Sequence, residues 1–219
     1  MNSEVLFGRN VGKSRRLRSQ GGITILELIV VAAIGIVITA IAVPNIMTVI
    51  YNIRLRSSAD SISGLLQQAR ILAVKTNKYY GVCATKFQNC NKNGTDPANI
   101  LYIDLNGNGS WDPGEPVAQI SGNITIMTAG TPPAGTMGLN FNPATPNTQP
   151  YFNARGLPCA LNGATCATVL ITPAGSQIMS FRMYLTDSRG FGRNGWAAVT
   201  VSPAGRMQTW IYTWTQWSN

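Results

Sequence analysis

Gly21-Gly22-Ile23-Thr24-Ile25-Leu26-Glu27 precedes an uncharged, largely apolar stretch, which runs from Leu28 to Ile53. About 20 apolar residues are enough to cross a bilayer as a helix, so this stretch predicts a transmembrane helix. Glu27 then lies inside the membrane segment, where a carboxylate costs at least about 2.5 kcal/mol on insertion scales. A carboxylate kept at such a cost indicates a functional residue, and it needs a group that pairs with its charge.

The residues before this stretch are basic. Residues 1–22 contain five basic side chains and one acid, and the positive-inside rule therefore places this end in the cytoplasm and the rest across the membrane. A secretory signal fits poorly, because its apolar core is about 7–15 residues long and is followed by a small-residue cleavage site. A signal-anchor helix is the better alternative. It explains the basic tail and the hydrophobicity but not the acid.

These features resemble the processing site of type IV prepilins, in which a basic leader ends in glycine and the mature chain begins with an apolar residue and has glutamate fifth. Cleavage after Gly22 makes Ile23 the first residue and Glu27 the fifth. Pro44 matches a helix-loosening proline that is frequent in pilins. The resemblance implies cleavage and N-methylation by a prepilin peptidase. It also implies assembly in which Glu27 meets the freed amino group of Ile23 on a neighbouring subunit.

Composition argues against catalysis. The 219 residues contain no histidine and only eight acids, which leaves few groups for general bases or activated nucleophiles. We therefore expect neither enzyme activity nor a cofactor. Loss of the leader would lower the net charge from +9 to +5, because the leader carries five basic residues and one acid.

Four cysteines form two pairs of equal spacing beyond the apolar stretch: Cys83 with Cys90, and Cys159 with Cys166. An even count on the exported side of a membrane is typical of disulfides. Each pair encloses a polar, turn-rich loop, which favours local bridging among the three connectivities. A zinc site built from all four is the alternative, although zinc motifs usually separate two cysteines by two to four residues.

The apolar periodicity predicts one helix from about residue 23 to about 76, followed by an antiparallel β-sheet or sandwich: an α+β fold. Asn77 is the expected helix stop, and the proline-rich residues 128–150 are expected to form an exposed loop. The predicted strands are Tyr79–Ala84, Ile100–Asp104, Val117–Ile120, Ile124–Met127, Leu139–Phe141, Thr168–Thr172, Phe181–Thr186, Ala197–Val201 and Met207–Trp214.

Several segments together resemble the GspH/FimT family of pseudopilins and minor pilins: Leu65–Arg70, Tyr80–Cys83, Asp104–Glu115, Phe152–Gly156 and Val201–Arg206. The resemblance implies a pilin-like fold with a leader at 1–22, a transmembrane and assembly helix at 23–50 and a periplasmic head at 51–219. It implies a single-pass inner-membrane subunit that assembles with other pilins. Type II secretion and type IV pili remain alternatives.

One loop matches the calcium pattern of alternating oxygen ligands, D-x-[DN]-x-[DN]-G-x5-E. The ligands would be Asp104, Asn106, Asn108, Asp112 and Glu115. The neighbouring segments, however, look like strands rather than the helices that flank an EF-hand. Asn-Gly repeats also form turns without a metal. We therefore favour a hairpin turn over a calcium site.

The C-terminal third is basic and rich in tryptophan. It contains Arg155, Arg182, Arg189, Arg193 and Arg206, with Trp196, Trp210, Trp214 and Trp217. Arginine with stacking aromatics suits single-stranded DNA, and some FimT-type pilins bind DNA through a C-terminal Gly-Arg-x-Arg element. Residues 205–208 keep the first arginine and lack the second. We favour tryptophans in the core or in subunit contacts and arginines on the surface, with DNA binding as the alternative.

Overall fold

The structure, a computed structural model, describes residues 22–87, 89–127, 132–135, 137–139, 141, 149–162, 165–172, 175–187, 195–213 and 215–219. The chain divides into two compact units, Met1–Val43 and Pro44–Asn219. Helix α1 spans Ile25–Thr76 and is followed by β-strands. The predicted α+β class is confirmed.

Polar caps define both ends of helix α1. Thr24 is the N-cap, because its Oγ1 accepts a hydrogen bond from the Glu27 backbone N–H at 3.2 Å. The helix therefore begins at Ile25, close to the predicted start at about residue 23. Asn77 ends it with a positive φ of 55°, and the next N–H, of Lys78, returns to the Ala73 carbonyl oxygen.

Thirteen strands are seen in the described residues, and all of their pairings are antiparallel. A six-stranded sheet has the order β3-β2-β1-β5-β6-β7, a five-stranded sheet the order β13-β12-β11-β10-β4, and β8 pairs with β9 alone. The strands are β1 Tyr80–Ala84, β2 Ile100–Asp104, β3 Val117–Gln119, β4 Ile124–Met127, β5 Tyr151–Phe152, β6 Pro158–Asn162, β7 Thr165–Ala167, β8 Val169–Thr172, β9 Gly175–Ile178, β10 Phe181–Asp187, β11 Trp196–Val201, β12 Met207–Thr213 and β13 Gln216–Ser218.

The main core lies between helix α1 and the two large sheets. Buried helix side chains recur at helical spacing from Leu55 to Ala73 and belong to one cluster with residues of both sheets. Alternate residues of the five-stranded sheet face the other way, since strand side chains alternate between faces. Tyr184, Trp210, Tyr212 and Trp217 form a second cluster on that outer face.

Three expectations about the strands and loops need correction. The predicted strand Leu139–Phe141 is not seen at its two described residues: Leu139 and Phe141 are not in a strand, and Leu139 packs against the second cluster. Asn140 lies outside the described residues. The stretch 128–150 is not simply exposed, because Met137 and Gln149 are buried. Strands β5, β6, β7, β9 and β13 were not predicted.

Candidate functional site

The residues at the predicted cleavage site are exposed. Gly22, Ile23 and Thr24 precede helix α1, and Glu27 lies in its first turn. The helix is long and apolar enough to cross a membrane: its most apolar window has a mean hydropathy of 2.8, and none of that window is buried. The helix also continues through position 44. Leader residues 1–21 lie outside the described part of the chain.

Both local disulfides are present, Cys83–Cys90 and Cys159–Cys166. The described residues contain no free cysteine, and the cysteines therefore do not form the alternative zinc site. The first bond closes the turn after β1, and Gln149 Nε2 donates a hydrogen bond to Cys83 Sγ at 3.0 Å. The second joins β6 to β7, where sequence reasoning expected only a loop.

The Asp104–Glu115 loop connects β2 to β3, and its oxygens are used by its own donors. Asp104 accepts hydrogen bonds from the backbone N–H groups of Gly107 and Gly109. The Asp112 carboxylate accepts from the side-chain amides of Asn106 and Asn108. The Asp104 bonds close the turn through side-chain to backbone contacts, and the Asp112 bonds join side chains across it.

The Glu115 carboxylate stabilises the end of this turn by accepting two backbone hydrogen bonds. Its two oxygens accept from the backbone N–H groups of Leu105 and Asp112 at 2.8 and 3.1 Å. Burial raises the pKa of its carboxyl, against the opposite effect of those two hydrogen bonds. The described residues bring together no group of three or more acidic, histidine or cysteine side chains able to hold a metal. The hydrogen bonds of the loop fit the predicted hairpin turn, and a calcium site at these residues stays a prediction.

The tryptophans of the C-terminal third are largely core residues. Trp210 and Trp217 are only 9% and 6% exposed, and Trp196 packs against the same cluster. Trp210 Nε1 donates a hydrogen bond to Thr200 Oγ1 at 3.0 Å. Trp214 lies outside the described residues. Rings buried in this way are not available to stack on nucleic-acid bases.

The arginines proposed for DNA differ in exposure among the described residues. Arg182 is half-buried, with its guanidinium carbon 5.0 Å from the centre of the Tyr184 ring. Arg206 and Arg155 are exposed on two different turns. Arg189 and Arg193 lie outside the described residues.

Those two turns have the same hydrogen-bond pattern, and both meet helix α1. In the first turn, the Asn153 N–H donates to the Leu157 carbonyl oxygen and the Gly156 N–H donates to the Asn153 carbonyl oxygen. In the second turn, the Ser202 N–H donates to the Arg206 carbonyl oxygen and the Gly205 N–H donates to the Ser202 carbonyl oxygen. Gly156 and Gly205 occupy the fourth positions with φ of 73° and 78°.

Arg70 of helix α1 lies against both turns. Its Nη1 donates a hydrogen bond to the Gly205 carbonyl oxygen at 2.9 Å, and its Nη2 donates to that of Ala204 at 3.4 Å. A methyl group at Gly156 would lie 3.2 Å from Arg70 Cγ. Sequence reasoning noted Arg70 and both turn motifs separately but missed that they meet, because the hydrogen bond to Gly205 joins residues 135 positions apart.

A family model described as type II transport protein GspH matches residues 58–205. The chain belongs to the GspH family. No curated protein matches the chain. Among solved structures it is similar to the type IV minor pilin FimU of Pseudomonas aeruginosa (strain PAO1), at 17% identity and a TM-score of 0.39, over 73% of this chain and 88% of that one.

Membership of the GspH family identifies the chain as a pilin-like subunit of a structural, non-enzymatic family. It also implies assembly with other pilins or pseudopilins. The match to the GspH model begins at Ser58 in helix α1 and ends at Gly205. It therefore includes Arg70, the whole Asn153–Leu157 turn, and the Ser202–Arg206 turn except for Arg206.

Replacing Gly205 with alanine should destabilise the GspH-family domain by about 2 kcal/mol or more, because alanine disfavours a positive φ. Its methyl group would also lie 2.8 Å from the Gly156 carbonyl oxygen. The measurement is thermal unfolding of the full chain in detergent, followed by circular dichroism.

Gly64→Ala is the matched control for this prediction. Gly64 lies within helix α1, and a methyl group there meets no atom within 4 Å. We expect this change to stabilise the helix by about 0.5–1 kcal/mol. Equal unfolding temperatures for Gly205→Ala and the wild type would contradict the account of the turn.

Proposed function

We propose that this chain is a minor pilin or pseudopilin of a type II secretion system or a type IV pilus. A prepilin peptidase cleaves it between Gly22 and Ile23 and methylates Ile23. The first part of helix α1 holds it in the bacterial inner membrane, with the leader in the cytoplasm and the head, residues 51–219, in the periplasm. It then enters the filament through that helix, and no cofactor takes part.

One observation supports this proposal above the others. Helix α1 joins an apolar segment, of whose most apolar window no residue is buried and which has an acid in its first turn, to a domain that matches the GspH model. A soluble protein would have to cover such a segment, because lone helices with an apolar surface on every side are stable only in a core or a membrane. The prepilin motif at Gly22–Glu27 supplies the processing step.

The second candidate is a minor pilin that binds DNA during uptake. Exposed Arg206 after Gly205 favours it. The burial of Trp210 and Trp217 disfavours it, because single-stranded DNA binding uses accessible aromatic rings. We therefore rank DNA uptake below a purely structural role in the filament.

Processing gives the direct test. Expressed with an active prepilin peptidase, the full chain should yield a mature protein that begins at N-methylated Ile23, as read by intact-mass and N-terminal peptide mass spectrometry. The control is the same chain in a strain that lacks the peptidase, where the leader should remain. An intact leader beside an active peptidase would refute the proposal, and cleavage after Gly21 would refute the register that places Glu27 fifth.

A further inference from the structure

An open groove lies where the end of helix α1 meets the β11–β12 turn. It encloses about 690 Å³. The lining residues used below are Arg70, Ile71, Val74, Lys75, Arg206 and Met207. Neither the disulfides nor the Asp104–Glu115 loop contributes to it.

The groove has a rigid wall. The two carbonyl acceptors hold the Arg70 guanidinium in place, and a guanidinium has five N–H donors in a fixed fork. The Asn153–Leu157 turn also packs closely against the helix, because a methyl group at Gly156 would be 3.0 Å from Val74 Cγ2. A fixed cation loses little freedom on binding and is therefore suited to a carboxylate.

The charged side chains that line the groove are all positive. Arg70, Lys75 and Arg206 contribute three cations, and the described lining contains no acid. Lys75 and Arg206 are both exposed. An occupant that carries carboxylates would therefore be favoured by electrostatic complementarity, in affinity and in association rate.

The floor of the groove is aliphatic. Ile71 and Val74 are 64% and 53% exposed although they lie on a helix whose other face is buried. The described lining has no aromatic ring, so it lacks the stacking surface that single-stranded nucleic acid uses. Aliphatic side chains between cations instead match a protein segment that alternates apolar and acidic residues.

A second copy of this chain is a poor source of that segment. The chain has only eight acids against 17 basic residues. Asp104, Asp112 and Glu115 already accept hydrogen bonds within their own loop. Asp96 likewise accepts from the Tyr102 hydroxyl at 2.7 Å. The occupant must come from a different, more acidic protein.

We infer that this groove docks an acidic, amphipathic segment of a partner protein. The partner's carboxylates pair with Arg70, Lys75 and Arg206, and its apolar side chains cover Ile71 and Val74. That the partner is another subunit of the same filament rests on the proposed function, whereas the chemistry of the groove does not.

The probe is a fluorescein-labelled 12-residue peptide of glutamate, leucine and alanine, measured by anisotropy against the full chain in detergent. A second peptide replaces every glutamate with glutamine, and a third replaces every leucine with serine. We expect the first peptide to bind at least about tenfold more tightly than either of the others, and to weaken as salt rises.

The variants locate the binding. Lys75→Ala and Arg206→Ala should each weaken it at least about fivefold, from the loss of a charged hydrogen bond, and Ile71→Ser should weaken it similarly. Arg155→Ala is the matched control, because Arg155 is an exposed arginine on the neighbouring turn that does not line the groove. We expect it to leave the affinity unchanged.

Three results would overturn the inference: equal binding of the glutamate and glutamine peptides, unchanged affinity in Lys75→Ala and Arg206→Ala, or tighter binding of a labelled 20-nucleotide single strand through the same residues. The last result would assign the groove to nucleic acid. The outcome is separable from the proposed function. Peptide binding without leader cleavage would support the docking groove and refute the proposed pilin function. Leader cleavage without peptide binding would support the pilin function and refute the docking groove.

Discussion

Glu27→Gln should leave membrane insertion intact and reduce incorporation of the chain into a filament at least about tenfold. Glutamine has almost the same shape and costs less than a carboxylate in hydrocarbon, so insertion does not suffer. Under the proposed function assembly suffers, because the change would leave the Ile23 amino group of a neighbouring subunit without its proposed charge partner. Loss of one member of a buried charge pair costs about 3–5 kcal/mol. The measurement compares the chain in the membrane fraction with the chain in sheared filaments.

Two variants control this experiment. Asp60→Asn neutralises another exposed acid of helix α1, in the compact unit that begins at Pro44, and should assemble normally. Glu27→Asp keeps the charge and should retain part of the incorporation. Normal incorporation of Glu27→Gln would show that the carboxylate charge is not required, and a loss in Asp60→Asn would show that the readout reports general damage.

Local sequence patterns predicted the helix and the strands that carry a clear apolar or β-rich pattern of their own. Helix α1 has an uninterrupted apolar run and then a one-sided apolar pattern, so its end at Thr76 was predictable. Strands β2 and β4 were predicted with their observed bounds, because each is a short β-rich run beside turn residues. The local disulfides followed from equal spacing around turn-rich loops.

The strands that were missed depend on distant partners. Strand β5 has only two residues, and it is a strand because Tyr80 and Gly81 pair with Phe152 and Tyr151. Strand β13 alternates polar residues around Trp217, and its pairing with β12 buries that ring. Neither sequence carries a strong strand signal of its own.

The same reasoning applies to the candidate sites. Four tryptophans beside arginines satisfy the composition of a DNA site as well as that of a core. Only the alternation of faces in the five-stranded sheet decides which rings are buried. The groove at Arg70 could not be predicted, since it depends on contacts between helix α1 and a turn more than a hundred residues later.

Helix α1 therefore has two faces over residues 65–75, and Leu66→Ala tests the buried one. Leu66 is 0% exposed within the main core. Removing it should lower the free energy of unfolding by about 2–5 kcal/mol, through lost apolar burial and the cavity that remains. For a domain of this size that corresponds to a fall of roughly 4–20 °C in the unfolding temperature, measured by circular dichroism on the full chain in detergent.

Ile71→Ala is the control on the opposite face of the same helix. Ile71 is 64% exposed, and alanine has the higher helix propensity, so we expect a change of at most about 0.5 kcal/mol. A large loss of stability in Ile71→Ala would mean that this side chain belongs to the fold, and the groove would then lose its apolar floor as a docking surface. Similar unfolding temperatures for Leu66→Ala and the wild type would contradict the placement of Leu66 in the main core. The expected pair of results, a large loss at Leu66 and none at Ile71, assigns one face of the helix to stability and leaves the other for a partner.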